Sequence, residues 1–289
     1  MINQRSQGMA ILRIMMGFMM LKDFIIYFIN REALFGKSGI VPYDFYQKII
    51  KVYHLNFLNY PFSQFSSLFC IIGVALSFCF LSNYKTLICG TILFFMVHII
   101  RFRNIFILDG ADNLVWIMLP FVTLYTPNLF FKNRAINTVR RYLNLLLPWA
   151  VMIQMCIVYS TAALYKLEGE LWKNGTALFY ILRVDEFRPS NLNVWLTQYK
   201  VFVIGLTYLT IAWEGLFPFF AFFRRTKYYL FALSLLMHIG IFICMRIDNY
   251  SYIIIAAYIV FFTNSEIESF MLKFKKINIL RYAKPSHTL

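Results

Sequence analysis

Eight stretches of this 289-residue chain are apolar for long enough to cross, or nearly cross, a bilayer as helix: 8–30, 64–82, 85–100, 113–131, 145–166, 200–224, 227–247 and 250–264. A helix needs about 20 apolar residues to cover the hydrocarbon core. Within that core only a helix or a closed barrel satisfies its own backbone. The pattern therefore predicts an all-α fold, a polytopic transmembrane helical bundle of about eight spans. The third, fourth and eighth runs are short, and Pro120 and Pro127 interrupt the fourth, so seven or nine spans also fit. Composition excludes an ordinary soluble domain, with 60% hydrophobic, 19% aromatic and only 14% charged residues. No repeat, heptad or linker divides the chain: 1–264 reads as one transmembrane domain and 265–289 as a short basic cytoplasmic tail. The first run carries Arg13, Lys22 and Asp23 and no small-residue cleavage site, so it is expected to stay as a helix.

The net charge of +15 suggests nucleic acid until the cations are located. They flank apolar segments, which points to membrane lipids as partners and away from nucleic acid. The amino terminus, the turns near Lys85 and Arg224, the loop 132–144 and the tail hold 14 Lys/Arg and two acids, against 12 and nine on the opposite side. The positive-inside rule then gives a multi-pass cell-membrane protein with both termini cytoplasmic. The loops 34–42, 101–112, 166–189 and 246–248 fall on the outer face. A site at that membrane boundary is one reading of these polar, Gly-punctuated loops, and ordinary solvated loops are the other.

Lys166 is expected to end the fifth span, seven residues after Tyr159 and on the same helical face. Burial disfavours an ammonium, so a lysine in an apolar crevice is a candidate base for a phenol-like or hydroquinone-like substrate. The plainer reading is a snorkelling lysine paired with Glu170 at i+4. Ser160, Thr161, Ala162 and Ala163 form a small-residue patch that admits a helix or a flat ligand. Trp172 reads as an interfacial anchor, and 176–182 as an interfacial helix or a buried loop. Arg13, Asp23 and Glu214 are charges within apolar runs and are expected to face the interior, partnering one another or Arg246. Glu214 is the deepest acid. His238 is mid-span, a packing residue or the one ring there able to titrate near neutrality. His98 ends the third span. Four scattered histidines argue against a metal site, and the five cysteines, all in apolar runs without a CxxC pair, read as small buried hydrophobes.

Taken in order, several residues resemble the HTTM (horizontally transferred transmembrane) domain family, bacterial relatives of the membrane half of vitamin K-dependent gamma-carboxylase. They are Leu12 and Arg13 with Gly17 and Asp23, the loop from Leu34 to Gly39, Arg103 and Asn104 with Gly110 and Asp112, and Gln154, Tyr159, Lys166, Trp172 and Gly175. His238 extends the match. The resemblance implies that Lys166, with His238, is catalytic, deprotonating a quinol-like substrate. Tyr165 stands where the carboxylase pattern has a first lysine. Arg103, Asn104, Asp112, Tyr159, Trp172 and Glu214 become expected substrate contacts, and a quinone or hydroquinone the expected cofactor. Glutamate carboxylation itself is not expected, because the large substrate-holding domain of the carboxylase has no counterpart here. The same group includes maturation proteins for a sporulation-delaying toxin. The competing expectation is therefore a non-catalytic accessory subunit in peptide maturation or export, with a small peptide or a membrane protein as partner. A transporter is disfavoured by the lack of an inverted repeat.

Overall fold

The structure, a computed structural model, describes residues 4–55, 62–106, 108–185 and 190–282. Every regular element among them is helical. The long helices are α1 (Ser6–Ile29), α4 (Phe62–Leu81), α5 (Thr86–Arg103), α6 (Gly110–Leu124), α7 (Arg134–Glu168), α11 (Lys200–Phe220), α12 (Thr226–Met245), α13 (Asp248–Ile259) and α14 (Asn264–Tyr282). Shorter helices fill the connections: α2 (Arg31–Phe35), α3 (Tyr43–Val52), α8 (Glu170–Lys173), α9 (Ala177–Ile181) and α10 (Leu192–Leu196).

Among the described residues five helices are long and apolar enough to cross a membrane: α4, α5, α7, α11 and α12. The α13–α14 pair meets the requirement jointly but bends by 110°, making a sixth if it is one broken span. Each of the eight apolar runs contains a helix, yet α1 carries three charges and α6 is only 15 residues long. The 113–131 run stops at Leu124, ahead of Pro127, although it passes through Pro120. Residues 134–144, expected as loop, are instead the first turns of the 35-residue α7, started by the Asn133 side chain accepting from the Ala135 and Ile136 amides.

At the centre lies α1, packed on α4, α13 and α6. Its buried stripe, Met9, Leu12, Met16, Met19, Met20 and Phe24, repeats at helical spacing. Gly17 lets α4 approach, since a Cβ there would lie 3.0 Å from the Leu81 Cα. Arg13 is not paired with an acid: its guanidinium donates to the Phe80 and Leu81 carbonyls at 2.6 and 2.9 Å, the negative end of α4. The start of α14 is fastened to the bundle by Lys227–Glu266 at 2.7 Å and by Asn264 donating to Ser6 at 2.9 Å. Residues 283–289 of the expected tail, and 186–189 of the 166–189 segment, lie outside the described residues. The five cysteines are free thiols.

Candidate functional site

Near the carboxyl end of α7, Tyr159 and Lys166 share a face, and α11 packs along it. Close approach is possible because the facing residues are small. Ala163 is buried and faces Gly215, where an added Cβ would stand in ordinary contact with the Ala163 Cβ at 3.8 Å. The small-residue patch is thus used for helix packing at Ala163, whereas Thr161 is exposed and its hydroxyl bonds its own helix carbonyls.

Across this contact the Lys166 Nζ donates to both Glu214 oxygens, at 2.9 and 2.7 Å. Both side chains are largely withdrawn from solvent, at 19% and 11% exposure. Glu170, the expected i+4 partner, pairs with Lys173 instead, at 2.8 Å in the open. The Lys173 hydrogen bond holds that exposed carboxyl below its usual pKa. The reason is geometric: α7 stops at Gly169, whose extended backbone turns Glu170 off the face that carries Lys166. The same turn folds Trp172 back, placing its ring 5.0 Å from the Lys166 ammonium, a cation–π contact.

Deeper along the same seam, the Tyr159 ring meets Trp213 edge-on at 4.6 Å and Phe217 at 4.4 Å. Its hydroxyl lies 3.5 Å from the His238 Nε2, at the limit of a hydrogen bond. His238 is buried, and among the described residues its Nδ1 has no partner, while the buried Trp213 Nε1 and Ser234 Oγ meet no acceptor or donor at full hydrogen-bond geometry. Ser234 faces the Tyr159 and Tyr258 hydroxyls and Trp213 that of Tyr258, so these polar groups form one buried cluster.

The remaining expected contacts lie elsewhere. Arg103 is fully buried, with its guanidinium donating to the Val41 carbonyl and, at 3.1 Å, to that of Gly36, over the Tyr46 ring. It clamps the 34–42 loop from inside. Asn104 is buried beside it with both amide atoms unpartnered. Asp112 forms a reciprocal cap with Asp109 at the start of α6. It also lines a cavity of about 20 Å³, room for a single water, together with Asp23 and Arg101. Asp23 approaches Asn249, which Lys22 also meets. His98 accepts from the Trp116 Nε1 at 3.1 Å.

Lys166, Trp172 and Glu214 are therefore brought together, and Tyr159 and His238 line the continuation of that seam. Arg103, Asn104 and Asp112 are held apart in two other polar knots. Tyr250 connects these regions: its ring stands 5.7 Å from that of His238, and a Cβ on Gly110 would lie 2.9 Å from it. Nothing in the sequence singled it out, since a tyrosine at a helix start is common at membrane boundaries. Among the described residues no three His, Cys, Asp or Glu side chains gather as metal ligands. No family model, curated protein or solved structure matches the chain.

Proposed function

We propose that this chain is a membrane protein of the HTTM type that exchanges a proton with a quinol-like, lipid-soluble substrate at the Lys166–Glu214 pair. The observation that carries the reading is the two-pronged ion pair, mostly buried, roofed by Trp172 and continuous with the Tyr159–His238 seam. An amine bonded to both oxygens of a carboxylate is best accommodated as ammonium. The basic function expected of Lys166 then belongs to the pair. The hydroxyl proton of the substrate passes to the Glu214 carboxylate, and the Lys166 ammonium stabilises the phenolate oxygen left behind. A flat ring finds aromatic partners in Trp172 and Trp213. His238 lies within reach of the Tyr159 hydroxyl as a deeper proton carrier. The finer topology belongs to the same proposal: eight crossings, both termini cytoplasmic, and the pair near the outer boundary, with the short helices between α7 and α11 covering it.

A membrane-soluble phenol whose anion absorbs at a longer wavelength than its neutral form tests this in nanodiscs. Bound to the wild type, it should ionise at lower pH than in protein-free nanodiscs, and Lys166→Met, which removes the cation that stabilises the phenolate, should remove the shift. An unchanged titration curve in the wild type sinks the reading. The accessory role in peptide maturation draws support from exposed Tyr180, Trp195 and Tyr199 on the same cover. It requires Lys166→Met to be tolerated while exchange of the 173–189 segment abolishes capture of a partner peptide.

A further inference from the structure

α5 runs from Thr86 to Arg103 and α6 returns from Gly110 to Leu124, so the α4–α5 turn and the segment after α6 lie together at the end of the bundle away from Arg103 and Asp109. There they border a half-open cavity of about 410 Å³, lined among others by Lys85, Thr86, Tyr125 and Asn128 with apolar Ile88 and Leu129. Its walls are fixed in advance of any occupant. Arg140 donates to the Thr126 and Pro127 carbonyls at 2.7 and 2.8 Å, and the Asn144 side-chain Oδ1 accepts from the Thr126 amide at 2.9 Å. The opposite wall is held by Lys85 itself, in the left-handed conformation at φ 44°, with Thr86 donating to Asn83 at 3.1 Å.

Charge at this place has one sign. Residues 82–86 and 125–144 contain Lys85, Lys132, Arg134, Arg140 and Arg141 and no Asp or Glu. Lys85 lies near the Tyr84 ring, at 5.4 Å, and pairs with no carboxylate among the described residues. The amino end of α5 opens beside it without a side-chain cap, which adds the positive end of a helix dipole. Beside these polar groups the lining includes Ile88 and Leu129, both exposed, so one lipid could meet charge with its phosphate and apolar side chains with its acyl chains.

We propose that this cavity binds the headgroup of an anionic phospholipid from the surrounding bilayer. Lys85 faces the phosphate, Asn128 supplies hydrogen bonds, and Ile88 and Leu129 contact the first acyl carbons. The fixed, basic, acid-free walls suit a resident lipid better than a soluble anion, for which the apolar residues would have no use.

The test is native mass spectrometry of the full chain in detergent with equal amounts of phosphatidylglycerol and phosphatidylcholine. The wild type should retain one phosphatidylglycerol selectively. Lys85→Gln should lower that selectivity about fivefold, the effect of one cation at a membrane surface, and Lys85→Glu should abolish it. Asn128→Trp, which fills the cavity without touching the charge, should also lose the lipid while far-UV circular dichroism stays unchanged. It decides the matter if the Lys85 variants fail to fold. Equal retention of both lipids by the wild type overturns the proposal. So does selectivity that survives both Lys85→Glu and Asn128→Trp, or displacement of the lipid by inorganic phosphate alone.

Discussion

Arg103 and Lys166 are both cations withdrawn into the bundle, yet they are neutralised in different ways. Arg103 spends its donors on the carbonyls of Gly36 and Val41, groups that cannot titrate or leave. Lys166 is bonded to Glu214, a group that can take a proton. A guanidinium locked to backbone holds a loop in place. An ammonium locked to a carboxylate stores a proton-transfer couple, and only the second arrangement has chemistry to offer a substrate.

The difference should be visible in stability. Arg103→Met strips the Val41 carbonyl of its donor and leaves that of Gly36 with the Gly39 amide alone at 3.3 Å. Two hydrogen bonds to a charged group, at about 1.5–3 kcal/mol each, put the expected loss at about 4 kcal/mol, with the 34–42 loop becoming sensitive to protease. Thermal unfolding in bicelles reads the first and limited proteolysis the second. A neutral result would show that the clamp is replaceable and weaken the contrast.

Glu214→Gln should come next, at about 3 kcal/mol, because it strands a partly dry ammonium. The double variant Lys166→Met with Glu214→Leu should return to within about 1 kcal/mol of the wild type, since a buried pair is often no more stabilising than apolar residues of similar volume. Recovery of stability together with loss of the phenol shift separates the function of the pair from its structural contribution. Failure to recover would make the pair a fold element like Arg103.

Smaller effects sharpen the inner boundary of the site. The Tyr159 hydroxyl meets His238 only at 3.5 Å, so Tyr159→Phe should cost less than about 1 kcal/mol, the ring packing on Trp213 and Phe217 being kept. A larger loss would mean that waters join Tyr159 to the polar atoms of Trp213, Ser234 and His238. Glu170→Gln should leave the thermal midpoint where it is, because its pair with Lys173 is exposed to solvent and screened.

Particular residues show how much of this was legible beforehand. Glu214 could be picked out as the deepest acid, and Lys166 as a lysine ending an apolar run, from hydropathy alone. That they meet could not, because 48 residues separate them and no local rule acts over that distance. The nearer candidate, Glu170, was misleading: the i+4 rule holds only while the helix continues, and Gly169 ends it. Arg103 and Asp112 were visible as charges near a motif-like loop, but their engagement with carbonyls and with a helix cap depends on where other backbone segments pass. Arg13 was expected to seek an acid and found the end of α4 instead.

What the order of residues determined by itself is the class of the protein. Long apolar runs with cations near their ends call for helices suited to a membrane, since within a bilayer core the backbone polar groups of such a run are satisfied along the helix itself. Tertiary structure alone decided which charges share a seam, where α1 lies and which polar atoms are left unpaired. Side-chain encounters across helices depend on rotation and crossing, and small residues such as Ala163 and Gly215 fix these only once both helices are present.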